Sequence, residues 1–556
     1  MEKRTIIAFA LSFLILLVWS FLFAPKQEQA PKREEPQKKE QWAAPKEVEK
    51  AVPQPQPTVL QEKQEPTPAG PVFEEEKEIL VETPLYKAIF STAGASIKSY
   101  KLKNYRETAD PHSPLVELAT TQDGQNLLEI TFESQLSENP DGTLYQVSDQ
   151  ALILDPGASP RDLTFQAVTS NGLSIQKTYR IHPDKYPIDV LVSLSNQTEK
   201  NIEGHIQAFI ANLPPEKKKS YYSFAGLSLL LNDELEEIKP KDLKKEEKRF
   251  TGQIGWIAYE EDYFLTALVP EDQEEEARFL GRALPSGILK ATYLAPPVAL
   301  PAQNQLNARF TLYLGPRDLT FLKQADKKLD LAIDFGWTDI IAKPLLYALR
   351  FFNQYVHNYG VSIIILTLLI KILFWPLTHK SYKSMKEMQK IQPLMAKLRE
   401  KYKNNKEQMN KELMNLYKTY KVNPMGGCLP MVIQIPVFFA LFRILGSSIE
   451  LRHAPFMLWI NDLSAPDRLF SLPFKIPFMS PPYGIPVLTL LMGLSMLVQQ
   501  KMTPTPGDPT QAKIMMLLPI VFTVMFINFP SGLVLYWLVN NILSIGQQYR
   551  IIKKSA

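Results

Sequence analysis

Lys371 lies between Ile370 and Ile372 inside the apolar run 361–377, VSIIILTLLIKILFWPL. The run is long enough to cross a bilayer, and an ammonium near the middle of a spanning helix costs roughly 2.5–3.5 kcal/mol on insertion scales. A charge retained at that cost usually faces a polar cavity, which makes Lys371 a candidate site for a polar or charged chain. The competing reading is snorkelling. Pro376, His379 and Lys380 follow closely, and the four-carbon stem could carry the ammonium to the interface. Thr367 precedes Lys371 by four residues and shares its helical face, and Asn540 and Ser544 repeat that spacing. Ser362, Gln434, Gln499, Gln500, Asn528 and Asn541 add further polar groups to apolar runs. Taken singly, such residues are commonly interhelical glue. Several amides together with one deep lysine point to a wet interior pocket. Arg443, near the outer end of its run, is read as snorkelling.

Other chemistries leave no trace. The chain has no phosphate-binding loop, GxGxxG, HExxH or GxSxG, and no carboxylate within an expected span. Its six histidines are scattered and Cys428 is the single cysteine, so no disulfide framework can form. The expectation is a protein that is not an enzyme, with no cofactor and no metal.

The elements around Lys371 follow from composition. The chain has 556 residues and a net charge of +4, but that average hides a mosaic of membrane-like and water-soluble stretches. Lys3 and Arg4 precede a long apolar run, and Pro25 follows Ala24, so residues 1–24 read as an uncleaved signal anchor. Residues 25–72 are rich in Pro, Glu, Lys and Gln and read as a solvated, disordered linker. Residues 73–330 alternate as strands do. Ile188, Val190, Val192 and Leu194 share one face, as do Phe310, Leu312 and Leu314, and this predicts a large antiparallel sandwich. The charged stretch 214–249 reads as a surface excursion. Residues 334–358 carry Trp337, Ile340, Ile341, Leu345, Leu349 and Phe352 at helical spacing, interleaved with Asp339, Lys343 and Arg350, and predict an amphipathic helix on the membrane surface. An ordinary docking helix of the soluble domain is the blander alternative.

Residues 359–550 form the expected transmembrane core, with spans at 361–377, 429–446, 485–500, 514–529 and 531–549. The last three are too short to match a hydrocarbon core of roughly 30 Å without thinning it. Segment 378–424 carries twelve Lys or Arg against four Asp or Glu, whereas 449–483 balances three against three. With the basic tail, 551–556, the positive-inside rule places this loop and both termini in the cytoplasm and the sandwich in the periplasm. Within it, residues 381–421 read as a helical hairpin turning at Asn404 and Asn405. Met385 and Met388 lie along its narrow apolar seam, and Lys383, Lys386 and Lys390 along its basic outside. That composition suits anionic lipid, ribosomal RNA or an apolar client, and a plain antiparallel coiled coil is the alternative.

Three motifs carry a resemblance: the run from Val422 to Pro430 (VNPMGGCLP), the run from Phe529 to Trp537 (FPSGLVLYW), and APF at 454–456 followed by WINDL at 459–463. With the lone cation of the 361–377 run, they resemble the YidC/Oxa/Alb membrane-insertase family over about residues 340–550. The anchor and the large outer domain resemble its Gram-negative form. The resemblance implies a five-helix insertase bundle plus an N-terminal anchor helix, and an all-β periplasmic β-supersandwich of sugar-mutarotase-like fold. It implies a hydrophilic groove in the inner membrane, lined by Lys371, Thr367, Gln434 and Asn540. Clients would meet Trp537, Leu429, Ile433 and Phe438, and the hairpin would dock ribosomes or targeting factors. Expected partners are nascent membrane proteins, the Sec translocon and the phospholipid bilayer, and not DNA. Two residues depart from the family pattern. Lys371 stands where the Gram-negative form usually has arginine, keeping the charge and losing the bidentate fork. Trp537 stands where tyrosine is common. Two other readings compete: a solute or ion transporter with a pocket at Lys371, and a carbohydrate-binding envelope protein built on the sandwich.

Overall fold

The computed structural model describes residues 76–120, 126–134, 143–169, 172–215, 224–272, 276–420, 422, 429–503 and 509–553. The expected anchor (1–24), the linker (25–72) and residues 423–428 of the VNPMGGCLP motif lie outside the described residues, as does the side chain of Leu429. The chain divides into two compact units. The described part of the first is Met395–Leu416, and the second holds Glu74–Leu394 and Tyr417–Ala556.

The alternation in IDVLVSL becomes the strand Pro187–Asn196, with Ile188, Val190, Val192 and Leu194 buried and Asp189 and Leu191 facing outward. This strand pairs antiparallel with Leu173–Ile181 and with Gln305–Pro316 in a nine-stranded sheet. In the same sheet Ile254–Glu260 and Phe264–Pro270 are buried along their whole length. Apart from Glu260 and Thr266, residues of both faces are apolar or aromatic there because other layers cover both faces. A six-stranded sheet packs on Ile254–Glu260. A five-stranded sheet, in which Glu78–Glu82 and Ala151–Ile153 run parallel, meets the nine-stranded one through Phe90, whose ring lies 5.1 Å from that of Tyr179 and 6.3 Å from that of Phe165. The stretch 214–249 is not a surface excursion. It supplies Gly226–Leu231 and Glu234–Ile238 to one end of the nine-stranded sheet, with Leu227, Leu229 and Leu230 buried. The run GLSLLL is too short for its period to stand out against the charges that flank it.

The helices follow. Helix α1, Asp339–Val356, buries Ala342, Leu346 and Leu349 and leaves Ile340, Tyr347, Phe351 and Tyr355 exposed. His357 ends it in the left-handed region (φ 49°), and Asn358 caps α2, Tyr359–Leu373, by accepting from the Val361 amide at 3.1 Å. Helix α2 does not run on to residue 377. The chain breaks at Phe374 and turns through 64° into α3, Trp375–Lys401. Pro376 explains the position of the break: it has no amide to donate and is tolerated in the first turn of a new helix. After α4, Lys406–Thr419, come α5, Leu429–Ser447; α6, Val487–Met502; α7, Pro509–Phe526; and α8, Ser531–Lys553. The amides that open α8 have no partner within the helix. The loop 449–486 satisfies them, Ser531 N–H donating to Ala465 O (2.8 Å) and Gly532 N–H to Leu463 O (2.9 Å). Helix α8 packs between α2 and α6, α6 packs on α7, and α1 touches both α2 and α5. At Gly493 there is no room for a Cβ beside Thr523, which lets α6 and α7 approach closely. Among the described residues no single helix is long and apolar enough to cross a membrane, and only the bent pair α2–α3 passes that test jointly.

Candidate functional site

A narrow cleft opens between α2, α3, α5 and α8, lined by Ile370, Lys371, Phe374, Leu377, Thr378, Ile433, Gln434 and Asn540. Lys371 is only 7% exposed, so it does not snorkel. Its ammonium turns inward to α8, donating to Ser544 Oγ at 2.6 Å and more weakly to Asn540 Oδ1 at 3.5 Å. Ser544 in turn donates to the Asn540 carbonyl one turn back (2.7 Å), so its lone pairs face the lysine. Both partners are neutral, and no carboxylate is among the described residues that line the cleft. An anionic group entering it would find an ammonium that is hydrogen-bonded but not neutralised.

The break at Phe374 brings α3 into the same wall. Thr378 caps the cleft through the Gln547 side chain on α8, whose amide donates to Thr378 Oγ1 at 2.9 Å. On the opposite wall the Gln434 amide donates to the Tyr536 hydroxyl. Thr367 does not line the cleft: it is 1% exposed and its hydroxyl donates to Ile363 O (2.6 Å) within its own helix. Four residues of spacing put Thr367 on the same face as Lys371, but only the longer side chain reaches the cleft.

Among the residues expected to meet a client, Ile433 lines the cleft. Phe438 and Trp537 stand together in an aromatic cluster, their ring centroids 5.1 Å apart and edge to face. Phe526 closes the group at 5.4 Å from Trp537 and 5.9 Å from Phe438. The hairpin residues are distributed along α3. Lys383 and Lys390 are exposed, Met385, Lys386 and Met388 are half-buried, and Lys390 pairs with Glu387 at 2.9 Å. Ile391 is deeply buried, and so, in the other unit, are Met395 and Leu413, whereas Tyr420 is exposed. Ser544, Thr378 and Gln547 are not among the groove-lining residues expected from the sequence. Ser544 was visible as the i+4 partner of Asn540, but Thr378 and Gln547 carried no signal beyond being polar.

A second polar cluster joins the sandwich to the helices. Arg350 on α1 lies 3.3 Å from Glu450 and 3.6 Å from Asp318, the residue that caps the short helix Leu319–Ala325. Burial, reinforced by the negative charge of Asp318, pushes the Glu450 carboxyl up to about 7 despite Arg350. Nearby, the Arg452 guanidinium lies 5.6 and 5.3 Å from the rings of Tyr263 and Phe264 and donates to Arg106 O at 2.6 Å. Among the described residues no group of three His, Cys, Asp or Glu side chains is placed to hold a metal ion.

Two family models match the chain: the 60Kd inner membrane protein family over residues 351–556, and the YidC periplasmic domain over 78–348. A membrane protein insertase YidC of Syntrophobacter fumaroxidans is 43% identical over 561 residues, covering 99% of each chain. That of Geobacter metallireducens is also 43% identical, over all of this chain and 99% of its own. A solved structure described as an active YidC insertase with its first transmembrane domain resolved aligns with 86% of this chain and 93% of its own, at 19% identity and a TM-score of 0.36. Full-length identity at this level, together with two matched models, shows that the chain belongs to the YidC family of inner-membrane protein insertases.

Proposed function

We propose that the chain inserts nascent membrane proteins into the inner membrane and assists their folding, using the Lys371 cleft as a polar half-path. The inward-turned ammonium of Lys371, held by Ser544 and uncompensated by any carboxylate in the cleft lining, is the observation that carries this reading. A client's translocated tail cannot enter hydrocarbon with its backbone groups unsatisfied, because each costs several kcal/mol. A wet cleft with an ammonium, Gln434 and Asn540 on its walls offers hydrogen-bond partners over part of the way and attracts acidic tails. The client's apolar segment leaves along Ile433, Phe438 and Trp537 into lipid, driven by its own transfer from water, so no nucleotide is consumed.

In this reading α2 with the start of α3, and α5, α6, α7 and α8, are the five spans, and the three sheets are the periplasmic β-supersandwich. Both termini are cytoplasmic. The exposed aromatic face of α1 lies on the membrane surface. The hairpin α3–α4, with its exposed lysines, is the docking element for ribosomes or targeting factors, and the Sec translocon is a second partner. The transporter reading drops out, since the full-length relatives are named insertases.

Site-specific photocrosslinkers at Ile433 and Trp537, presented with ribosome-bound nascent chains of a single-span client, test the function. Crosslinks that shift with chain length support it. Their absence at both positions, with crosslinks appearing only at exposed sandwich positions such as Val168, would overturn it.

A further inference from the structure

The loop between α5 and α6 carries large apolar side chains on its surface: Phe470 is 72% exposed, Phe474 59%, Phe478 80% and Leu458 81%. The backbone that carries them is constrained. Leu458, Phe470 and Phe478 all have positive φ (56°, 59° and 63°), a region that bulky residues rarely adopt. Polar side chains hold the loop in that form. Arg468 donates to Pro482 O (2.8 Å), Ile527 O (2.8 Å) and Asn528 Oδ1 (3.2 Å). Asn528 returns a bond to Phe478 O at 2.8 Å and receives one from the Ser480 amide at 2.8 Å. Pro473, Pro477, Pro481 and Pro482 restrict what remains. Half-buried Arg468 and Asn528 thus support a loop that presents phenylalanines to the outside, which is unfavourable in water and needs an apolar counterpart.

Two observations identify that counterpart. First, the loop is continuous with surfaces that already face lipid in a membrane-spanning core. It leads directly into α6, whose Leu490, Leu491 and Leu494 are exposed, and Arg468 and Asn528 tie it to the end of α7. Second, Lys475 is the single charged residue between Phe470 and Ile485, and it is exposed. A rigid apolar finger with one cation among its aromatics matches the boundary between anionic headgroups and acyl chains. We propose that residues 470–478 seat in that boundary, in the leaflet on the side of the sandwich, and so fix the depth of α6 and α7. The inference rests on the membrane-spanning reading of the helices and is independent of how clients pass the cleft.

The test uses the full-length chain in proteoliposomes of phosphatidylethanolamine and phosphatidylglycerol, in a Cys428→Ser background, with an environment-sensitive fluorophore on Phe474→Cys. Controls carry it on Val168→Cys, exposed on the sandwich, and on Leu494→Cys, exposed on α6. The expected result at 474 is blue-shifted emission and quenching by lipids with shallow spin labels that exceeds quenching by deep ones. Adding Lys475→Glu should lower that quenching. Emission at 474 matching that at 168, with 494 quenched, overturns the proposal. Protection of 474 in native membrane vesicles but not in lipid-only vesicles also overturns it, and assigns the finger to an apolar partner protein instead. If 494 too is unquenched, the span assignment of α6 fails and the proposal falls with it. Unaltered thermal melting of each labelled variant confirms that the fold is retained.

Discussion

The Lys371 ammonium and the Ser544 hydroxyl meet at 2.6 Å although 173 positions separate them in the chain. The contact turns a charge that could have snorkelled into one facing the interior. It predicts a graded series. Lys371→Arg should keep insertion of clients with short acidic tails, and Lys371→Leu should lose it. Ser544→Ala leaves the ammonium in place but frees its position. A hydrogen bond to a charged group is worth about 1.5–3 kcal/mol, so insertion in proteoliposomes should fall by roughly tenfold or more if all of it serves the client step. Equal insertion by the wild type and Lys371→Leu would remove Lys371 from the mechanism.

Trp537 offers a separate test because its ring is held by Phe438 and Phe526. Trp537→Tyr should preserve both stability and crosslinking to clients. Trp537→Ala opens the cluster and should cost about 1–3 kcal/mol, below the full value for a wholly buried tryptophan. Thermal melting in detergent reads this directly. A melting temperature unchanged by Trp537→Ala would show that the cluster does not stabilise the core.

Glu450 makes the joint between sandwich and helices depend on pH. Its carboxyl is raised from an ordinary value of 4.5 to about 7, so the folded state holds its proton more tightly than the unfolded chain does. The stability this contributes is fully present below about pH 4.5 and is lost as pH rises through about 7. Burial also raises Glu237 and Glu260, which act in the same direction. The informative quantity is therefore the difference from Glu450→Gln. Between pH 5 and pH 8 the wild type should lose on the order of 1–3 kcal/mol relative to that variant. Parallel melting curves across that range would contradict the assignment.

The hairpin should be separable from the core, but with narrower limits than its sequence implies. Met395–Leu416 forms part of a compact unit distinct from the one that holds the cleft, whereas Tyr382 and Ile391, nearer the break at Phe374, are buried. Replacing residues 395–416 by a short Gly/Ser bridge should leave core melting unchanged and weaken delivery of ribosome-bound clients. Starting the deletion at Met388 should also lower the melting temperature, because it removes Ile391. Loss of the folded core with the shorter deletion would make the hairpin structural.

The sandwich is joined to the helical part more firmly than a long tether implies. Arg452 against Tyr263 and Phe264, and Arg350 against Asp318, are contacts that deleting residues 80–320 would break. That deletion should still support insertion in a depletion strain, but with a core of lower melting temperature. Arg452→Ala should reproduce part of the loss, about 1–2 kcal/mol for a partly desolvated cation over aromatic rings. An undiminished melting temperature in both variants would mean the joint adds nothing to stability.

Much of this protein was legible in its residues because the informative signals were local. The alternation of Ile188, Val190, Val192 and Leu194 needs only a period of two to declare a strand with one buried face. The apolar runs, the charge imbalance of 378–424 and the anomaly of Lys371 needed no partner to be noticed. Tertiary structure decided where those features point. Ser544 and Gln547 come to hold Lys371 and Thr378 only because α8 packs against α2 and reaches the start of α3. Thr367 lost its place to a bond within its own helix. The bend at Phe374 brought Thr378, expected as the first residue of the cytoplasmic segment, into the cleft wall. GLSLLL became part of a sheet because a neighbouring strand, Ile254–Glu260, offered it a ladder. Periodicity reports which face of an element is apolar, whereas the choice of partner depends on packing between segments far apart in the chain, and no local pattern encodes that.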